Sequence, residues 1–275
     1  MESTITISFA ESAENHAGME RLGTRAAAGF TLADFTAAKS RFEDAGCECE
    51  LIHLVEAARV EHLVPPPEPA YLLIVRGGAE AFGPPARVDL AGGTKADALC
   101  DEQDELHDLR DTKALMRGRV VNKLARHNLC FAPEGQEPDY ESGRGRVIAF
   151  DALPELDSVR RGLPDFFGAK AADLVYAEGN YYYNTRKCGI GFHGDSERRL
   201  VVALRFGATM PLHFQWYFRG APVGRRVARD LAHGELFCMS EKAVGTDWRK
   251  STIPTLRHAA GAAKYLTIPG YPAEY

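Results

Sequence analysis

From about Val147 onward the chain divides into short strand-like segments separated by turn residues at near-regular spacing. These are VIAF, DLVYAEG, YYYN, IGFHGD, LVVALRFG, PLHFQWYF, RVARDLAHG, ELFCMS, TLRHAA and KYLTI. So many short strands in succession predict a sandwich or an open barrel. One helix is expected among them, LPELDSVRRGLPDFF, interrupted by Gly162 and Pro164.

The first 110 residues have a different rhythm. TITISF at 4–9 alternates as a strand does, and Thr31 caps a helix that carries Leu32, Phe35, Ala38 and Phe42. CELIHL follows as a strand, and LVPPPEPA at 63–70 ends the unit before the hydrophobic YLLIVRGGAEAF. This β-α-β order predicts an α/β module over residues 1–110 and a second, β-rich domain over 111–275. Residues 95–116, acidic first and more basic later, read as one helix.

A chain of 275 residues with 45% hydrophobic content can bury a substantial core. Its net charge of −5 argues against nucleic-acid binding by bulk electrostatics and leaves room for a local basic patch. No apolar run approaches the roughly 20 residues of a membrane-spanning helix, and the N-terminus lacks a basic start followed by an apolar stretch. The expectation is an intracellular protein that does not engage a membrane. Its six cysteines are scattered and are expected to be reduced thiols.

GIGFHGDSERR carries the chemistry. His193 and Asp195 stand two apart, so on a strand or its exit both project to one side and can converge on one ion. A third ligand from a later strand would complete a two-His-one-carboxylate facial triad, which leaves positions on Fe(II) open. His258 in TLRHAAGAAKYLTI is the candidate. A tight turn at Gly261 would then bring Lys264 alongside on a return strand, where its ammonium could clamp a dicarboxylate; Arg257 and Lys250 are the alternatives. Without a metal, the same H-x-D pair serves as a hydrogen-bonded couple at a strand end. Zinc hydrolysis is a lesser option, because zinc sites more often gather three His or Cys ligands.

From Gly118 to Ile268 the sequence resembles the AlkB-like branch of the 2-oxoglutarate- and Fe(II)-dependent oxygenases. The family's asparagine-x-tyrosine is matched by Asn180 and Tyr182, and its H-x-D-x-E by His193, Asp195 and Glu197. LVVALRFG, LHFQWYF and LAHGELFCMS resemble the strands that follow, and GRVVNKLARHNLCF resembles the region of the substrate lid. The resemblance implies a mixed α/β chain with a double-stranded β-helix (jelly-roll) core. It further implies an iron held by His193, Asp195 and His258, with Asn180 and Tyr182 on 2-oxoglutarate. Molecular oxygen and an organic substrate would be the other reactants, and the products a hydroxylated or oxidatively demethylated substrate with succinate and carbon dioxide. Two departures stand out. TDWRKSTIP has no histidine where the family commonly carries its distal ligand, and no arginine follows His258. The histidine-then-lysine order looks instead like that of prolyl-hydroxylase-type members.

The substrate expected on this basis is a nucleobase or nucleic acid, with Arg119, Arg126 and His127 of the lid segment meeting phosphate and Glu197 as a further substrate-site residue. A protein side chain or small molecule is the alternative within the superfamily. Outside it stands a non-catalytic binding module that keeps the fold without the iron.

Overall fold

The computed structural model describes residues 2–86 and 93–271. Its N-terminal part runs through β1 (Thr4–Ala10), β2 (Ser12–Glu14), β3 (Arg21–Gly23), α1 (Leu32–Asp44), β4 (Glu48–His53), α2 (Leu54–Ala58), β5 (Tyr71–Arg76) and α3 (Lys95–Glu105). Helix α1 begins where Thr31 and Asp34 cap each other's backbone, and it buries Phe35, Ala38 and Phe42 along one stripe. Thr94 and Asp97 start α3 in the same way.

The helix expected over 95–116 stops at Glu105. Residues Lys113–Met116 form β6 instead, which pairs with β7 (Arg119–Asn122) across a tight turn where Arg117 and Gly118 both have positive φ. A two-residue turn of that type favours a hairpin over a continuing helix. The chain continues through β8 (His127–Ala132), β9 (Val147–Ala149) and α4 (Pro154–Phe167), the last unbroken by Gly162 and Pro164. Then come β10 (Tyr176–Tyr182), β11 (Gly189–His193), β12 (Val201–Gly207), β13 (Met210–Phe218) and β14 (Ala221–Leu231). The described chain closes with β15 (Leu236–Met239), α5 (Glu241–Val244), β16 (Thr255–Gly261) and α6 (Ala263–Leu266).

The architecture is mixed α/β and β-rich. An eight-stranded sheet has the order β4-β5-β15-β12-β1-β10-β8-β9, and a four-stranded sheet the order β11-β16-β13-β14. From β10 onward the chain passes back and forth between the two sheets, and its antiparallel pairs nest: β13 with β14, β12 with β15, β11 with β16. The pattern is that of one long hairpin rolled up. Its outermost pair is completed from elsewhere, because β10 finds its partner in β1 at the other end of the sequence.

The boundary expected near residue 110 is therefore not a boundary between sheets. β1, β4 and β5 all lie in the large sheet with the C-terminal strands. β1 is central there, between β10 and β12, and its alternation serves two layers. Ile5, Ile7 and Phe9 pack in the core shared with α1, α3 and α4, beside Phe35, Leu99 and Leu163. Thr6 and Ser8 point the opposite way, into a cavity. A second core, with Leu72, Ile74, Phe214, Trp216 and Leu256, fills the space between the sheets. All six cysteines are free, and among the described residues no helix is long and apolar enough to cross a membrane.

Candidate metal centre

Register brings the first two candidate ligands together. β11 and β16 run antiparallel with His193 opposite His258, after an irregularity between Ile190 and His193 that turns the end of β11. Asp195 follows two residues later. Its Oδ1 lies 3.4 Å from His193 Nε2 and 3.8 Å from His258 Nε2, and the three donor atoms all fall within 4.8 Å of one another. Gly194 between them is required by a close approach. A Cβ there would sit 2.2 Å from the Gly245 carbonyl oxygen and 2.8 Å from Trp248 Cβ. The Asp195 amide donates to the Val244 carbonyl at 3.0 Å, so the end of α5 clamps the motif from above.

Protonation suits ligation. His193 Nδ1 donates to the Gly191 carbonyl at 2.8 Å, which leaves Nε2 free to face the site. Burial, reinforced by the neighbouring His193, pulls the His258 imidazole down to about 4, so it is neutral at physiological pH. Burial alone would raise the Asp195 carboxyl. Arg198, His193 and His258 outweigh it and hold the group well below the usual carboxylate range. A neutral imidazole and an ionised carboxylate are the forms that bind a metal.

The three residues open onto a cavity of about 700 Å³ between the sheets. Its floor is a polar row across three adjacent strands, because the register sets Thr6 of β1 between Asn180 of β10 and Arg205 of β12. Arg205 is only 1% exposed. Its Nε and Nη1, and the Thr6 hydroxyl, have no hydrogen-bond partner. Burial has pulled the Arg205 guanidinium down to about 10, and among the described residues no carboxylate pairs with it. Asn180 is held firmly: its Oδ1 accepts from Arg126 Nε and, at 2.9 Å, from Asn128 Nδ2, while its Nδ2 donates to Glu178 at 3.2 Å. Beside the triad, the guanidinium of Arg198 meets the carboxylates of Asp195, Glu178 and Glu197.

The structure gathers His193, Asp195 and His258 at one point and sets Asn180, Tyr182, Glu197 and Arg126 in the same cavity wall. Lys264 is elsewhere. After Gly261 the chain enters α6 and makes no return strand, so Lys264 is solvent-exposed with its ammonium 5.0 Å from the Tyr265 ring centroid. The alternatives are also outside: Arg257 stacks over Tyr217 at 3.8 Å, and Lys250 is exposed. Arg119 is exposed on β7, and His127 packs against Tyr183 with ring centroids 4.9 Å apart. Neither lines the cavity. Arg205, Arg198 and Thr6 are the wall residues that sequence reasoning passed over. For Arg205 a signal existed, a lone cation inside the apolar strand LVVALRFG; for Thr6 nothing in TITISF tells which face meets a cavity.

No family model matches the chain. An uncharacterized protein of Acanthamoeba polyphaga mimivirus is 43% identical over 269 residues, spanning 97% of this chain and 98% of the viral one.

Proposed function

The chain belongs to the family of that mimivirus protein, and we propose that it is an Fe(II)- and 2-oxoglutarate-dependent oxygenase. One observation carries the reading: two imidazoles and a carboxylate converge at a cavity whose floor holds a buried guanidinium that makes no salt bridge among the described residues. The nested strand pairs support a double-stranded β-helix, or jelly roll, in which β1 supplies the partner that completes the outermost pair with β10.

The donor set fits such a metal. Two His and one carboxylate, with no fourth protein ligand among the described residues, favour non-haem Fe(II) over structural zinc. Charge agrees as well: three buried carboxyl groups, those of Asp195, Glu178 and Glu197, meet the single guanidinium of Arg198, a surplus of acidic oxygens that a divalent ion would offset. His193, Asp195 and His258 would hold the iron. When bound, the iron would let molecular oxygen act as the oxidant, with 2-oxoglutarate giving two of the four electrons as it is oxidatively decarboxylated to succinate and carbon dioxide and the substrate giving the other two.

The protein's own residues bind and orient. Arg205 offers a buried guanidinium, its Nε and Nη1 without hydrogen-bond partners, to the far carboxylate of a dicarboxylate, with the Thr6 hydroxyl beside it and Tyr182 nearby on the same wall. This is the role expected of Lys264. Asn180, locked by Arg126 and Asn128, presents its amide to the same ligand without needing to reorient. Trp248, whose indole N–H donates to Ser196 at 3.2 Å, walls the metal side and helps exclude water.

For the substrate, Trp248 offers a ring face, Glu197 and Glu14 offer acceptors, and Arg21, Arg126 and Arg249 offer cations around the cavity. A nucleobase suits that set. The positions of Arg119 and His127 favour a second reading, a small polar molecule that needs no extended phosphate track. Free thiols throughout accord with a reducing, intracellular setting.

Anaerobic reconstitution tests the proposal. The chain should take up near one Fe(II), lose it on His193→Ala, and form succinate from 2-oxoglutarate in air. No metal uptake would identify a non-catalytic binding module; uptake without succinate would point to different chemistry.

A further inference from the structure

Arg198 follows the metal motif by three residues and is 6% exposed, yet it does not face the apolar core. Its guanidinium is shared among three carboxylates. Nη2 lies 2.6 Å from Glu178 Oε2 and 3.0 Å from Glu197 Oε1, while Nε donates to Glu197 Oε1 at 3.0 Å and passes 3.5 Å from Asp195 Oδ2 as an ion-pair contact. Asp195 Oδ1 has other neighbours, the Nε2 atoms of His193 and His258. One oxygen of this carboxylate therefore lies against a fixed cation while the other faces the ligand imidazoles.

We propose that Arg198 is a positioning residue that withholds Oδ2 from the metal and so makes Asp195 a one-oxygen ligand. The inference rests on the oxygenase reading of the same site and adds to it how the site keeps its vacancies. An octahedral ion held by two imidazoles and one carboxylate oxygen retains three free positions. If Asp195 chelated through both oxygens, two would remain, and a bidentate co-substrate alone would fill them.

The guanidinium can do this because it is anchored independently of Asp195. Glu178 sits on β10 in the middle of the large sheet, paired with Ser8 and Cys130, and also accepts from Asn180. The carbonyl of Glu197 accepts from the Ser12 hydroxyl at 2.7 Å, tying the motif to β2. A lysine at 198 would keep the charge but, as a single point donor on a flexible stem, could not hold three carboxylates in fixed directions.

The test uses the full-length protein loaded with Mn(II) alone, without 2-oxoglutarate, and reads water-proton relaxation, which reports how many exchangeable waters each bound ion keeps. Arg198→Lys should lower the relaxivity per bound Mn(II) by about a third, from three open positions to two, with any loss of Mn(II) affinity kept within the roughly 10–100-fold usual for a change beside a ligand. Glu178→Gln loosens the guanidinium without leaving it unpaired and should shift relaxivity the same way by less. Circular dichroism establishes that each variant is folded. Unchanged relaxivity in a folded Arg198→Lys protein overturns the proposal. So does a large loss of Mn(II) affinity with unchanged relaxivity, which would assign Arg198 to holding the fold or tuning the ligands. If Arg198→Lys does not fold, Glu178→Gln decides: unchanged relaxivity there overturns the proposal equally. A wild-type protein that binds no Mn(II) sinks the metal-site reading itself, a failure distinct from these.

Discussion

Replacing Arg205 with methionine should make the empty protein more stable and its co-substrate binding much weaker. The two effects have one origin. Arg205 is a buried cation without an ion-pair partner among the described residues, and burial has moved its guanidinium from 12.5 to about 10. At roughly 1.4 kcal/mol per unit, the folded state carries on the order of 3 kcal/mol of penalty for keeping it charged near neutral pH. Methionine fills much of the same space without the charge, so the apo protein should melt higher, by roughly 5 °C for a chain of this size. Occupancy reverses the sign. Removing one partner of a buried, hydrogen-bonded charge pair costs about 2–5 kcal/mol, which weakens 2-oxoglutarate binding by roughly 30-fold to a few thousand-fold. Differential scanning fluorimetry of the apo protein measures the first effect, and titration calorimetry of the Mn(II) form with 2-oxoglutarate the second. If Arg205→Met lowers the melting temperature, or weakens binding by less than about threefold, Arg205 is not the dicarboxylate anchor.

Lys264→Ala should leave 2-oxoglutarate affinity within about twofold, since the side chain is exposed on α6 and faces Tyr265; a larger change in the same calorimetry would return Lys264 to the site. Gly194→Ala should weaken metal binding by about tenfold or more with the far-ultraviolet spectrum preserved, because the added methyl would meet the Gly245 carbonyl and displace the motif. Equilibrium dialysis against Mn(II) decides that case. Burial, helped by Arg226, lowers His213 to about 4. Between pH 6.5 and 4 the unfolded chain therefore takes up a proton that the folded one refuses, and stability falls as pH falls, by about 1.4 kcal/mol per unit for this group. In urea titrations at pH 6.5 and 5, His213→Gln should lose stability less steeply than wild type; parallel slopes would show that His213 is not buried as a neutral ring.

Local features of the sequence were enough to mark most strands of the C-terminal half, KYLTI excepted, the capped start of α1 and the H-x-D pair with His258 as its candidate partner. Each depends on short-range rules: alternation at a period of two, a side chain reaching a backbone amide three residues on, and two side chains sharing one face of a strand. Pairing across long stretches of chain was not legible in this way. The edge of β10 offers the same row of amides and carbonyls to any strand, so nothing in TITISF shows that it, and not a segment after His258, lies beside it. That choice is made by the whole core, where Ile5, Ile7 and Phe9 fit under the helices while Thr6 comes to rest next to Arg205. The same global selection turned the segment after Gly261 into a helix and carried Lys264 away. Short-range pattern marked His193, Asp195 and His258 as a candidate metal set, whereas long-range strand pairing chose Arg205 as the cation of the cavity floor, because a buried charge is placed by strand neighbours drawn from distant parts of the chain.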